Sequence, residues 1–206
     1  MTPNRDHTIT EILGMLPPPT SAELDALRAR LADRAEQAGL LDVAYRTFDS
    51  PVGTLLLAAT AGGIVRVAYE REGIDEVLAQ LATRVSPRII AAPRRLDVAV
   101  CQLEEYFTHR REGFDLPLDL SLSSGFRQRV LQHLPAIGYG HTASYASVAA
   151  AVENPKAVRA VGSACATNPL PLLIPCHRVV RSDGGIGEYI GGPQTKRQLL
   201  DMEAAA

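Results

Sequence analysis

Alternating hydrophobic and polar positions in the first half of the chain predict a small sheet. Residues 43–48 alternate between two faces, and Ser50-Pro51 marks a turn before a second strand at residues 52–60. Gly62-Gly63 is a hairpin signal, and a third strand is predicted over residues 64–69. This segment therefore predicts three short strands joined by tight turns.

Two helices are predicted after these strands. Apolar residues share one helix face over residues 74–85, and they recur at steps of four, three and four over residues 96–107. Cys101 lies within the second helix and is interpreted as an inert core thiol. No group of residues between 41 and 120 resembles a reaction centre, so this half is interpreted as a scaffold.

The segment before residue 40 predicts one further helix. Prolines at 17–19 break the chain, Thr20 and Glu23 form a capping-box pattern, and Gly39 fits a helix stop. The helical apolar stripe between them consists of Leu24, Leu27, Leu31, Ala35 and Ala38. It favours a surface helix that packs on the body of the protein, and a partner-binding helix is the alternative.

The pattern changes near residue 120, where we place a domain boundary. Ser144 can cap a helix over residues 145–152, and Asn154-Pro155 predicts a turn that starts a second helix over residues 156–167. Asn154 would be the N-cap of this second helix, and Pro155 its first residue. Two short helices joined by a tight turn are typical of a helix-turn-helix.

The second helix of this pair carries small side chains on most of its surface. Only Lys156 and Arg159 are long, and the small residues between them and Ala166 would let the backbone approach a nucleic-acid groove closely. Arg159 could then enter the base stack. A tight contact between two helices also favours small residues, and this alternative stays open.

Charge is distributed unevenly along the chain. Hydrophobic residues make up 46% of 206 residues, which is enough for one large domain or two small ones. The formal net charge is −2, but residues 1–120 carry 13 Lys and Arg against 18 Asp and Glu, whereas residues 121–206 carry 8 against 5. A polyanion, if the protein binds one, would therefore meet the second half, and an uneven surface with no ligand is the alternative.

The cysteine count and the apolar runs exclude several classes of protein. Three cysteines without a secretory signal argue against a disulfide framework, and no pair has the CxxC spacing of a structural zinc site. The apolar runs are shorter than a membrane span, and the first residues lack the pattern of a signal peptide. We therefore expect a cytoplasmic protein with no metal site and no cofactor.

A thiol beside an imidazole is the strongest chemical signal in the sequence. Cys176 and His177 follow a proline-rich apolar run, NPLPLLIP, at residues 168–175. A thiol is mostly protonated near neutral pH, and a neighbouring base raises its thiolate fraction. His177 is a candidate for that base, and Glu203, after a helix predicted over residues 194–202, could orient the imidazole. A buried structural cysteine is the alternative.

These features together resemble the O6-alkylguanine-DNA alkyltransferases, also called methylated-DNA–protein-cysteine methyltransferases. The likeness is continuous from about residue 138 to Glu203, and its most specific part is PCHRV at 175–179, with Asn168-Pro169 upstream and Gly191-Gly192 downstream. A weaker likeness covers residues 41–120. The resemblance implies an α+β fold: an extension at 1–40, a small ribonuclease-H-like domain at 41–120, and a mostly helical, winged-helix-like DNA-binding domain at 121–206.

The resemblance also implies a reaction and the residues that perform it. Such proteins repair O6-alkylguanine in double-stranded DNA, with O4-alkylthymine as a further candidate base, by moving the alkyl group irreversibly to a cysteine. Cys176 matches that acceptor, and its proton would pass through water to His177 and Glu203. Tyr145 matches the residue that promotes base rotation and donates a proton to guanine N3. Asn168 matches the residue that braces the turn after the recognition helix.

Further matches predict how damaged DNA is held. Arg159 matches the finger that fills the space of the rotated base, and loop 182–192 matches a flap over that base. The carbonyl groups of Cys176 and Val179 match acceptors for the guanine amine, and the N–H of Ile190 would face O6. The other predicted DNA contacts are Lys156, Ala157, Ala160 and Gly162. The predicted base pocket consists of Cys165, Val179, Tyr189, Ile190 and Gly191. We expect the protein to act as a monomer.

Four features depart from the family pattern. Ile190 stands where a small residue is usual, which bears on the size of the alkyl group accepted. Ala166 stands where some members have a basic residue that contacts a phosphate. The extension has no counterpart in compact members, and no cysteine precedes Cys101 to form the zinc site of some relatives.

Three other functions were weighed against this one. A protein that recognises alkylated bases without reacting has another residue, often tryptophan, at the position of Cys176. A helix-turn-helix regulator needs base-reading side chains, and the second helix has only Arg159 of that kind before its end. A cysteine hydrolase would use Cys176 and His177 and would turn over repeatedly.

Overall fold

The computed structural model describes residues 18–205, and a four-stranded sheet dominates their first half. The strands are β1 (Val43–Ser50), β2 (Gly53–Thr60), β3 (Gly63–Tyr69) and β4 (Ile89–Ala91). Their order is β3-β2-β1-β4, and all pairs are antiparallel except β1 with β4. The three predicted strands are confirmed. The prediction of only three is wrong, because β4 has too few residues to show an alternating pattern.

Seven helices and a second, two-stranded sheet complete the described chain. The helices are α1 (Ser21–Gln37), α2 (Ile74–Arg84), α3 (Asp97–Phe107), α4 (Gly125–His133), α5 (Tyr145–Ala151), α6 (Val158–Ala166) and α7 (Pro193–Ala204). The small sheet pairs β5 (Ala143–Ser144) in parallel with β6 (Val179–Val180). Between residues 18 and 205, no helix is both long and apolar enough to cross a membrane.

The start of α6 differs from its prediction. The Ala157 N–H donates to the Asn154 carbonyl at 2.9 Å, so residues 154–157 form a turn rather than the first helical turn. The helix begins at Val158. The prediction of Asn154 as N-cap is therefore wrong, and Lys156 lies in the turn before the helix. Ser144, by contrast, caps α5 as predicted by accepting from the Ser147 N–H.

Cys101 is exposed on α3, so its prediction as a core thiol is wrong. Val100 and Leu103 face the core from the same helix. A step of one residue turns a helical side chain by about 100°, which carries Cys101 away from the face that Val100 occupies. Its Sγ lies 4.0 Å from the Glu105 carboxylate instead.

Both faces of the large sheet are covered, and one of them carries the second half of the molecule. α2 packs Val77 and Leu81 on one face. On the other face, Tyr69 and Tyr106 join a continuous core that extends to Cys176. All seven residues of β3 are buried, as expected for a strand covered on both sides. The segment that contains Cys176 therefore packs directly on this sheet.

The N-terminal helix α1 contacts the body through alanines. Thr20 and Glu23 form the predicted capping box, whereas residues 1–17, with Pro17 of the proline run, lie outside the described residues. Ala32 is buried in a cluster with Ala44 and Ala92, and Ala35 is also buried. The predicted stripe is correct only at Ala35, since its leucines and Ala38 face outward: Leu24, Leu27 and Leu31 are 38%, 55% and 58% exposed. Small side chains let the helix approach the sheet closely.

We predict that a chain starting at Leu40 folds. Each buried alanine methyl contributes roughly 0.8 kcal/mol, part of which offsets the entropy of ordering α1. The ion pairs from α1 to Arg94 and Arg95 are exposed and contribute little. The midpoint of thermal unfolding should therefore fall by about 2–6 °C, measured by circular dichroism.

Ala32→Asp in the full chain is the matched variant, because it should detach α1 and lower the midpoint by the same amount. A truncated chain that is unfolded at room temperature would show that α1 is part of the fold rather than an attachment to it.

Candidate active site

A tight turn delivers Cys176 from the end of α6 to the centre of the molecule. After Thr167 the chain leaves the helix, and Leu172 adopts a left-handed backbone conformation with φ of 73°. The Ile174 N–H donates to the Leu170 carbonyl at 2.8 Å and closes this turn. Cys176 then begins a single 3-10 turn, Cys176–Arg178. A non-glycine residue with positive φ is uncommon, so the surrounding contacts have to hold this turn in place.

Asn168 supplies several of those contacts. Its side chain is fully buried, its Oδ1 accepts from the Leu170 N–H at 2.9 Å, and its Nδ2 donates to the Ile174 carbonyl at 3.0 Å. The same Nδ2 group donates to the Cys176 Sγ at 3.1 Å. Asn168 thus ties the turn together and also contacts the thiol directly.

The Cys176 thiol is buried and needs a base to ionise. It is 1% exposed, and burial raises its pKa to about 11, although the Asn168 amide and the Lys196 ammonium act in the opposite direction. At neutral pH such a thiol holds its proton. A thiolate at this position therefore requires that the proton pass to a neighbouring group.

His177 has the protonation state that such a transfer requires. Its Nε2 lies 2.9 Å from the Glu203 Oε1, and burial lowers its pKa despite the carboxylate. The imidazole is therefore neutral near pH 7. A carboxylate only accepts, so the proton of this neutral ring lies on Nε2, and Nδ1 is left as an acceptor. That buried Nδ1 has no partner among the described residues.

Glu203 is surrounded by donors. Its Oε1 accepts from the Tyr106 hydroxyl at 2.6 Å, from the His177 Nε2 at 2.9 Å and from Arg178 at 2.9 Å. Its Oε2 accepts from Arg178 again at 2.9 Å and from the Gly140 N–H at 3.3 Å. Hydrogen bonds from His177 and Arg178 overcome the effect of burial and lower the pKa of Glu203 to about 2. The carboxylate stays ionised in the folded protein.

Tyr145 places a phenol between α6 and the flap. It begins α5, and burial raises its pKa to about 12, so its hydroxyl is protonated at neutral pH. The ring lies against the α6 backbone at Gly162 and against the flap at Gly187, where an added Cβ would come within 2.7 Å of the Tyr145 hydroxyl oxygen. Only glycine at 187 leaves room for this phenol.

Lys196 is a buried cation that the sequence analysis did not single out as functional. Its Nζ donates to the Val179 carbonyl at 2.6 Å and lies 5.7 Å from the centre of the Tyr145 ring. A carbonyl oxygen has two lone pairs, so Val179 keeps one for a second donor. Lys196 therefore holds Val179 and Tyr145 in place and brings positive charge to the site.

The residues predicted to contact DNA lie on or near the surface, separate from the buried residues around Cys176. Lys156, Arg159 and Ala160 are exposed, whereas Ala157 and Gly162 are half-buried. Arg159 forms no ion pair within the part of the chain that the structure describes, and it lines an open groove with Tyr145 and the flap. A guanidinium without a carboxylate partner is free to contact an incoming polyanion.

The predicted pocket residues fall into two groups. Cys165 and Val179 lie in the core around Cys176, and Tyr189 packs edge to face with His177, with ring centres 6.2 Å apart. Gly191 is buried and Ile190 is half-buried beyond the tyrosine. Cys165 is too buried to ionise, because burial raises its pKa.

The sequence analysis did not identify two tyrosines that contact the site, one in β3 and one in α3. Tyr106 of α3 donates to Glu203, and the hydroxyl of Tyr69 at the end of β3 lies 2.8 Å from that of Tyr189. A buried tyrosine needs a hydrogen-bond partner for its hydroxyl. This requirement was the only feature of the sequence that pointed to Tyr69 and Tyr106. Among the described residues, no cluster of His, Cys, Asp or Glu could hold a metal ion.

Two domain families match the chain. Residues 43–120 match 6-O-methylguanine DNA methyltransferase, ribonuclease-like domain, and residues 125–205 match its DNA binding domain. The chain belongs to this methyltransferase family. Its fold is accordingly a ribonuclease-like domain followed by a DNA-binding domain, and the bounds 1–40, 41–120 and 121–206 stay predictions.

Individual relatives cover most of the chain. It is 37% identical over 163 residues to the constitutive methylated-DNA–protein-cysteine methyltransferase of Bacillus subtilis, with 77% of this chain and 94% of the relative covered. It is also 37% identical to the Mus musculus methyltransferase, covering 76% and 78%. The structure of Mycobacterium tuberculosis OGT in complex with DNA is 36% identical, with a TM-score of 0.69 and coverage of 79% and 93%.

We predict that Glu203 stabilises the protein in a pH-dependent way. Its pKa is about 2 in the folded protein against 4.5 in the unfolded chain, so its contribution is fully present above pH 4.5 and is lost as the pH falls towards 2. Glu203→Gln should lower the free energy of unfolding by roughly 3 kcal/mol at pH 7 and by much less near pH 3, measured by urea denaturation.

Asp201→Asn is the control, since Asp201 is exposed on the same helix, α7. A loss for Glu203→Gln that stays constant from pH 7 to pH 3 would mean that shape, and not the ionised carboxylate, is what the fold needs.

Proposed function

We propose that this protein repairs DNA by moving the alkyl group of O6-alkylguanine onto the Sγ of Cys176. The observation that carries the proposal is the buried series of Asn168, Cys176, His177 and Glu203, which begins directly after α6, a helix with one exposed face. A non-reacting recognition protein has no use for a thiol held this way. The membership of the family and the DNA complex of a relative support the same function.

The proposed first step is capture of the damaged base. α6 enters the minor groove, where its small side chains permit close approach, and Arg159 replaces the rotated base in the stack. Base flipping costs a few kcal/mol, which the stacked guanidinium and the pocket contacts offset. Val179 and Cys176 carbonyls accept from the guanine amine, Tyr189 forms a wall, and the other predicted contacts of the pocket and of α6 complete the site.

The proposed chemical step is a displacement at the alkyl carbon. The Cys176 proton passes through a water molecule to the Nδ1 of His177, and Glu203 stabilises the resulting imidazolium. The bond between Sγ and the alkyl carbon forms as the C–O6 bond breaks. The electron pair of the C–O6 bond stays on the guanine. Tyr145 gives its proton to N3 and so neutralises the leaving base. The product thioether has no hydrolytic exit, so each protein acts once.

We also propose the substrate range, the oligomeric state and the cellular location of the protein. The protein binds double-stranded DNA as a monomer, with O4-alkylthymine as a second candidate substrate. We place it in the cytoplasm, as its sequence led us to expect. The side chain of Ile190 narrows the pocket relative to the small residue usual in the family, which favours methyl over larger groups.

We predict one covalent methylation per protein molecule. After incubation with a duplex that contains O6-methylguanine, intact mass spectrometry should show the addition of one CH2 unit, and peptide mapping should place it on Cys176. Cys176→Ser is the control and should stay unmodified. Repeated turnover, or a label on Cys101 or Cys165, would contradict the proposed mechanism.

We predict that Arg159→Ala separates base flipping from chemistry. Repair of duplex DNA should slow by about tenfold or more, whereas transfer from free O6-benzylguanine should change far less, because the free base has no stack to leave. Single-turnover rates on both substrates provide the measurement. Arg30→Ala, an exposed arginine of α1, is the matched control. Equal losses on both substrates would place Arg159 in the structure rather than in flipping.

A further inference from the structure

The flap over the active site has little structure of its own. Five of the eleven residues at 182–192 are glycine, and the segment forms no helix or strand. Glycine-rich backbone is costly to order, so its position has to be fixed by contacts from elsewhere. The contacts that matter for the pocket are those of Tyr189, its proposed wall, and of Ile190 and Gly191.

The large sheet supplies such a contact through Tyr69. This residue ends β3 and is 4% exposed. Its hydroxyl lies 2.8 Å from the Tyr189 hydroxyl, and the two rings meet edge to face with centres 5.8 Å apart. Each hydroxyl is buried and has the other as its hydrogen-bond partner. Loss of either one would leave its partner without a bond in the core.

The ring of Tyr69 makes a second contact, with the flap backbone. A Cβ added at Gly191 would lie 2.8 Å from the Tyr69 Cζ and 2.9 Å from its Cε2. The phenol therefore packs on bare backbone, which only glycine permits. Tyr69 contacts the residues on either side of Ile190, and so it determines where Ile190 sits.

The end of β3 is itself anchored to the other side of the site. The Val67 N–H donates to the Pro169 carbonyl at 2.9 Å, and Arg66 donates to the same carbonyl at 3.2 Å. Pro169 follows Asn168, which contacts the Cys176 thiol. β3 thus connects the segment that holds the nucleophile with the flap that faces it.

We infer that Tyr69 is a positioning residue that limits the size of the alkyl group transferred. It acts through Tyr189: the hydroxyl pair holds the wall of the pocket at a fixed distance from Cys176, and the ring on Gly191 fixes the backbone of Ile190 between them. This inference rests on the proposed function, because it takes Tyr189 and Ile190 as walls of the alkyl pocket. With the hydroxyl pair broken, the wall can swing outward and larger groups gain room.

The test is Tyr69→Phe, which removes one oxygen and keeps the ring on Gly191. Single-turnover rates are measured on matched duplexes with O6-methylguanine or O6-benzylguanine. The ratio of the benzyl to the methyl rate should rise by about three- to tenfold, the range that one neutral hydrogen bond is worth. Tyr45→Phe, a tyrosine of β1 in the same sheet, is the matched control and should leave the ratio unchanged.

A double-mutant cycle distinguishes a route through Tyr189 from a general loss of structure. In a Tyr189→Phe background, Tyr69→Phe should cause no further change in the ratio. A ratio unchanged in the single variant overturns the inference, and so does a shift that is equally large in both backgrounds. If Tyr69→Phe does not fold, Tyr189→Phe removes the other hydroxyl of the pair, and its ratio must rise in the same way.

The proposed function can fail separately from this inference. If the wild-type protein transfers neither group to Cys176, the proposed function is wrong and the inference falls with it. If the wild-type protein transfers methyl groups normally and only the ratio fails to respond to Tyr69→Phe, the proposed function stands and the role of Tyr69 is wrong.

Discussion

A buried carboxylate is the constraint on which both halves of the molecule depend. An ionised side chain in the core is strongly unfavourable unless hydrogen bonds and opposite charge surround it. Glu203 meets this requirement with donors from four places: Tyr106, which is 97 residues away, the Gly140 N–H, His177 and Arg178. The chain has to bring α3, the turn at Gly140 and the Cys176–Arg178 turn together around α7. The position of the imidazole follows from this assembly.

The same constraint explains why the resting site is not already a thiolate. Arg178 forms a two-point ion pair with Glu203, so the carboxylate is largely balanced before His177 contributes anything. Burial, assisted by the charge of Arg178, lowers the pKa of His177 and keeps the imidazole neutral, and the buried thiol keeps its proton. In the proposed mechanism, Cys176 loses this proton only after the damaged guanine has bound. A thiol used once gains from this arrangement, because it is protected from other electrophiles.

The sequence predicts those residues of the site that lie close together along the chain. Asn168, Cys176 and His177 lie within ten residues, and their relative positions follow from one turn. Glu203 lies farther along the chain and was a candidate because a neutral imidazole needs a carboxylate partner. Tyr69 and Tyr106 could not be predicted, because they sit in segments whose pattern reports only strand or helix, and their contacts span 120 and 97 residues. The start of α6 was mispredicted because a turn replaces its expected cap. The buried face of α1 was mispredicted because alanines, and not the leucines, contact the body.

The ribonuclease-like sheet is thus more than a neighbour of the reactive domain. The elements around Cys176 are a 3-10 turn of three residues, a strand of two and a glycine-rich flap, and none of them has enough internal hydrogen bonds to hold its place. β3 is buried on both faces and is the rigid element beside them. Its backbone reaches Pro169 and its last side chain reaches Tyr189, while Tyr106 from the helix on the same sheet reaches Glu203. Cys176, Tyr189 and Glu203 are therefore each connected to the same sheet. A shift of that sheet moves all three together and preserves the distances between them.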